Sequence, residues 1–134
     1  MQVFDHEKMD VFRVSIDFVS LIESIVNNFP KGKAYLADQL RRAGTSIVLS
    51  IAEGAGEFSP DEKARFYRMA KRSATECAAI LVVCQTLKLS PSEANIDGRN
   101  LLFRIVSMLT KMVKSMAMNE SGTGKGTHAG TNRV

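Results

Sequence analysis

The chain has 134 residues, 45% hydrophobic and 24% charged, with a formal net charge of +4 at pH 7. That length supports one domain with a substantial core, and the composition is that of a soluble globular protein. No apolar run of about 18 residues could span a membrane. The N-terminus carries no basic-then-apolar leader, so a cytoplasmic location is expected.

The charge is uneven along the chain. Residues 1–30 hold five acids against two bases, whereas residues 31–88 hold ten Lys and Arg against six acids. Such asymmetry reads first as a mixed, solvated surface and second as a face for an anionic partner, RNA or DNA.

A first helix is predicted over residues 9–28, where Phe12, Ile16, Val19, Ile22, Val26 and Phe29 recur at three- and four-residue spacing. Pro30 and Gly32 end it, because a proline disfavours helix at the residue before it. A second helix covers residues 33–54 and places Leu36, Leu40, Ala43, Ile47, Ile51 and Gly54 on one face. Gly54-Ala55-Gly56 stops it. Small residues run through this helix (Ala43, Gly44, Ser46, Ser50, Gly54) and allow a neighbouring helix to approach closely.

Ser59-Pro60-Asp61-Glu62 is a strong start signal, with an N-cap serine, proline at the first helical position and acids in the first turn. The third helix continues from there to about residue 88. It contains Cys77 and Cys84, about two turns or ~10.5 Å apart, beyond disulfide reach. Buried, reduced thiols are expected. Ser90-Pro91-Ser92-Glu93 opens a loop or short first turn. A fourth helix, residues 97–118, shows Leu101, Leu102, Ile105, Leu109, Met112, Val113 and Met116. Residues 119–134 form a Gly/Thr-rich tail expected to be disordered. Nothing alternates with period two. The predicted fold is all-α, an antiparallel up-down four-helix bundle over residues 1–118.

An antiparallel second and third helix turning near Phe58 brings together positions whose numbers sum to about 117. Ser73 then meets Thr45 and Ser46, Glu76 meets Arg41 and Arg42, and Glu53 meets Lys63 and Arg65. The two glutamates read as structural salt bridges that fix register. They lie ~9 Å apart along the axis, too far for a catalytic carboxylate pair. On the third helix Arg65, Arg68 and Arg72 fall within about 60° of one another, flanked by Lys71. With Arg41 and Arg42 they form a candidate nucleic-acid-binding ridge. The nearby aromatics are Phe66, expected to face the core, and Tyr67, so phosphate and shape contacts are expected rather than base reading. Thr45, Val48, Leu49 and Ala52 lie off the core stripe of the second helix and are the expected subunit interface.

Gln39-Leu40-Arg41-Arg42-Ala43, Ser46-Ile47 and Ile51-Ala52-Glu53-Gly54, preceded by Phe29-Pro30 and followed by Phe66-Tyr67 and Glu76, form a pattern. It resembles the core signature of bacterial four-helix-bundle proteins associated with intervening sequences in 23S ribosomal RNA genes, over about residues 9–115. The resemblance implies an antiparallel bundle that assembles into a ring, commonly a pentamer. That family is similar to the accessory variability determinant proteins of diversity-generating retroelements, basic rings that work with a reverse transcriptase and RNA. Two positions depart from the pattern. Val48 and Ser50 stand where many relatives carry Pro and Asn, so a proline kink should be absent, and Phe12 stands where Trp is frequent.

No catalytic class fits. His6 and His128 lie in the termini, and HExxH, GxSxG and metal-ligand spacings are missing. Gly124-Lys125-Gly126-Thr127 lacks the strand and helix of a phosphate loop. No cofactor, metal or small-molecule substrate is expected. The expected function is a non-enzymatic homo-oligomer that binds nucleic acid; the alternative is a protein–protein scaffold without a nucleic-acid role.

Overall fold

The amphipathic stretches fold into α1 (Asp10–Val26), α2 (Ala34–Ala55), α3 (Pro60–Thr86) and α4 (Ser92–Gly124) in a computed structural model that describes residues 1–124. Short 3-10 turns at Asp5–Lys8 and Lys31–Lys33 precede α1 and α2. The chain is all-α with four helices and, among the described residues, has no strand.

The start and stop chemistry explains the boundaries. Ser59 caps α3 by accepting a hydrogen bond from the Glu62 amide at 3.1 Å, with Pro60 at the first position. The second Ser-Pro signal opens α4 itself, which begins at Ser92 rather than near residue 97. α4 continues past Met118 to Gly124; of the tail expected over 119–134, residues 125–134 lie outside the described residues. α3 ends in a Schellman turn. The Leu89 amide donates to the Cys84 carbonyl at 2.9 Å and the Lys88 amide to Gln85 at 3.0 Å. Lys88 takes the left-handed conformation this requires, at φ 58°.

α1 packs on α2 and α4, and α3 packs on α2 and α4, around one core. Phe18, Ile22, Leu40, Ile47, Ile51, Leu81, Ile105 and Leu109 are its large, fully buried aliphatic and aromatic side chains. The α2 stripe is buried as expected. The α1 stripe is the expected one only in part. Ile22 and Val26 are buried as expected and Val11, Val14, Phe18 and Ile25 join them in the core, while Ile16 is 44% exposed and Phe12, Val19 and Phe29 are half-buried. In α3, Tyr67 enters the core and Phe66 is only half-buried, correcting the expectation that Phe66 faces inward.

The small residues of α2 serve two neighbours. Gly44 faces α1, where an added Cβ would collide with the Ile22 Cδ1 methyl. Gly54 faces α3, where it would sit 2.6 Å from Tyr67 Cε1 and 3.1 Å from Phe66 Cβ. Ser46 and Ser73 hydrogen-bond hydroxyl to hydroxyl across the same seam at 2.9 Å. α2 and α3 are therefore antiparallel, with paired numbers summing to about 120, close to the expected register. The whole packing is compatible with the up-down bundle. α2 is continuous from Ala34 to Ala55 and, with no proline inside it, has no proline kink.

Gly54→Ala should destabilise the fold by about 1–3 kcal/mol, because Tyr67 is held rigidly in the core. Gly44→Ala should cost less, because only the end of Ile22 must move. Urea midpoints with unchanged slopes would measure both. Burial also pushes the Cys77 thiol up to about 12, assisted by the nearby Glu76 charge, and raises Cys84 in the same direction. Both thiols should resist a disulfide reagent at pH 8 in the native protein and react fully in denaturant. Because the raised pKa favours the neutral thiol, stability from Cys77 is complete below the ordinary thiol range and declines as pH rises toward 12.

Candidate nucleic-acid interface

Six cations were expected to line the outer side of α2 and α3, and the structure divides them into two groups. Arg41 is engaged by acids. Its Nε donates to Glu23 Oε2 of α1 at 2.8 Å, Nη2 reaches Glu23 Oε1 at 3.4 Å, and Nη1 lies 3.7 Å from Asp38. The hydrogen bond to Glu23 is the main reason its pKa is raised further. Arg65 is likewise paired, with Glu62 at 3.0 Å one turn earlier, and its guanidinium lies 4.4 Å from the centre of the Phe66 ring.

Arg42, Arg68, Lys71 and Arg72 form no ion pair among the described residues. Arg42, Arg68 and Arg72 are exposed and Lys71 is half-buried. At 100° per residue, the three α3 cations lie within about 100° on its outer face.

The expected salt bridges of Glu53 and Glu76 do not form; both glutamates are exposed and neither is in an ion pair among the described residues. The levels are right but the directions are not. Arg41 sits on the side of α2 that faces α1, so Glu23 takes it instead of Glu76. Lys63, expected to meet Glu53, turns to the last carbonyls of α2, donating to Ala55 at 3.1 Å and Gly54 at 3.5 Å. Those carbonyls lack intrahelical partners and carry the negative end of the helix dipole, which attracts an ammonium.

The expected interface residues are also divided. Leu49 is 56% exposed and Thr45 is exposed, whereas Val48 and Ala52 are half-buried on the α1 side. Leu49, Thr45, Arg42 and Glu53 line an open groove completed by the exposed Met69 of α3. Met69 was missed because its contribution depends on how α3 is rotated against α2.

A second apolar surface was missed altogether. Phe103 is 65% and Ile96 57% exposed on α4, and Val82 and Val83 are exposed on α3. The signal was present: residues 96 and 103 are seven apart and nearly opposite the α4 core stripe.

Among the described residues, no three His, Cys, Asp or Glu side chains gather as they would around a metal ion. No helix among them is long and apolar enough to cross a membrane. The fold and its surface define a class of small four-helix proteins whose distinguishing features lie on the outer faces of the helices. A family model for the 23S rRNA-intervening sequence protein matches residues 7–111, and the chain belongs to that family. No curated protein matches it.

Since Glu76 is exposed and unpaired, Glu76→Ala should change stability by no more than about 0.5 kcal/mol. Coupling in a double-mutant cycle should be found between Arg41 and Glu23 at low salt, weaken as salt is raised, and be absent between Arg41 and Glu76.

Proposed function

We propose that this protein is a non-enzymatic, cytoplasmic homo-oligomer that binds RNA through the outer face of α3. The observation that carries this reading is the set of cations Arg68, Lys71 and Arg72, with Arg42 of α2, that have no acidic partner among the described residues. Arg41 and Arg65 drop out of the binding set because acids already engage them. RNA is the anion proposed because the family is associated with a 23S rRNA intervening sequence. Two buried thiols support a reducing compartment.

Self-association completes the reading. The open groove with Leu49 and Met69 is the proposed subunit contact, and a ring of five is the number the family resemblance implies. One subunit offers few phosphate contacts, whereas a ring repeats them. Linked weak contacts raise apparent affinity by roughly 10²–10⁴ when one RNA spans them.

Leu49→Arg should leave helix content intact and lower the particle mass in light scattering; an unchanged mass would remove this groove from the contact. A hairpin RNA should bind at low salt and dissociate steeply as salt rises, because each neutralised phosphate releases counterions. Arg68→Glu/Arg72→Glu should abolish that binding. Undetectable wild-type binding at low salt, or charge reversals without effect, would leave the protein–protein scaffold as the better reading.

A further inference from the structure

The exposed ring of Phe103 lies in an unusual setting. Its side chain borders two grooves, one toward α1 and one toward α3. The α1 groove sets Asp10 and Asp17 beside Arg13, which Asp10 already pairs, and Arg104, so its charges offset one another. The α3 groove, about 200 Å³, is walled by apolar and small side chains, including Ala78, Leu102 and Val106, with Arg99 as its cation. The Arg99 guanidinium lies 6.0 Å from the centre of the Phe103 ring.

Register then extends the line. An added Cβ on Gly98 would contact Leu81, so facing residues of α3 and α4 sum to about 179. Arg68 and Arg72 therefore lie level with α4 positions about 111 and 107. Together with Phe103 and Arg99 they mark four successive levels about 6 Å apart along the outer side of α3 and α4, with Arg68 within about 20° of the groove residue Thr75 and Arg72 about 60° from it. That interval is on the order of the phosphate-to-phosphate step of an unstacked single strand. Glu76 is level with Phe103 but points to the α2 side of α3.

We propose that the outer α3–α4 seam is a single-strand track, in which one base stacks on Phe103 and enters the groove beside it. Arg68 and Arg72 hold the backbone on one side and Arg99 on the other. The occupant is a single-stranded nucleic acid: the seam's cations match its phosphates, and an exposed aromatic between them offers a surface that a base-paired duplex cannot use. This rests on the RNA-binding reading above and adds to it a preference for unpaired bases. The basic ridge of α2 and α3 is expected from the sequence to lack interleaved aromatics; on this track the aromatic comes from α4.

The chain contains no tryptophan, so Phe103→Trp places a unique fluorophore on the track. Oligouridine of twelve nucleotides should quench it, and a blunt twelve-base-pair RNA duplex should not. Phe103→Ala should weaken oligouridine binding roughly 5- to 100-fold and leave the salt dependence unchanged, since no phosphate contact is lost. If Phe103→Ala binds oligouridine as wild type does while Arg68→Glu/Arg72→Glu does not bind, the track is wrong and the basic face of α3 stands. If the wild type binds neither RNA at low salt, both readings fall. A blue shift of the indole emission in the Phe103→Trp variant that grows with protein concentration and is indifferent to RNA would assign the seam to a second copy of the chain and overturn the track.

Discussion

The close approach of α2 and α3 at Gly54 governs much of what the surface can do. Tyr67 occupies the space a side chain would take, and Ser46 and Ser73 bond directly across the seam. Contacts this short leave little freedom to slide, because a shift of one residue would put Tyr67 against Glu53 or Ala55 instead of a glycine. The outward positions of both helices follow from that register. Arg42 and Glu76 stand at one level, Thr45 and Arg72 near another, and Leu49 comes within reach of Met69.

Electrostatics then sorts the cations that register has placed. A guanidinium beside a carboxylate on a neighbouring helix, as Arg41 is beside Glu23, is already satisfied and has less to gain from a phosphate. Lys63 is satisfied differently, by the carbonyls at the end of α2. The cations left over, Arg42, Arg68, Lys71 and Arg72, do not simply follow from the number of basic residues. They are those that no carboxylate engages among the described residues, Arg42 included although Glu76 stands at its level.

How far the sequence discloses all this depends on how many alternatives each helix leaves open. Apart from Tyr35, Val48 and Leu49, α2 keeps its large apolar residues on one side and charges or small residues on the other, so its buried face could be read. α1 is apolar at Val11, Phe12, Val14, Ile16, Phe18, Val19, Leu21, Ile22, Ile25 and Val26. Two stripes can be drawn through it, and only the placement of α2 and α4 decides between them. α3 buries Ala64, Ala70 and Ala74, which announce a core face weakly, so Phe66 looked a better core residue than Tyr67. For paired charges, the antiparallel sum gives the level but not the direction around the axis. That is why the level of Glu76 was legible and the partner of Arg41 was not.

The unequal helix lengths give the bundle two different ends. α1 spans about 26 Å and α4 about 50 Å. The start of α1, from Met9 to Val11, borders a groove with Met108, Lys111 and Met112. α4 therefore continues for twelve more residues without α1 alongside, and Met112 at the edge of that stretch, with Val113 and Met116 inside it, remains half-buried. Methionine suits such a place, because its unbranched, polarizable side chain can pack against surfaces of different shape. One end of the molecule is thus a finished core closed by the Schellman turn at Lys88. The other is an unfinished shelf of soft side chains, where repacking costs little and where oxidation of a methionine sulfur would roughen the surface before it disturbed the fold.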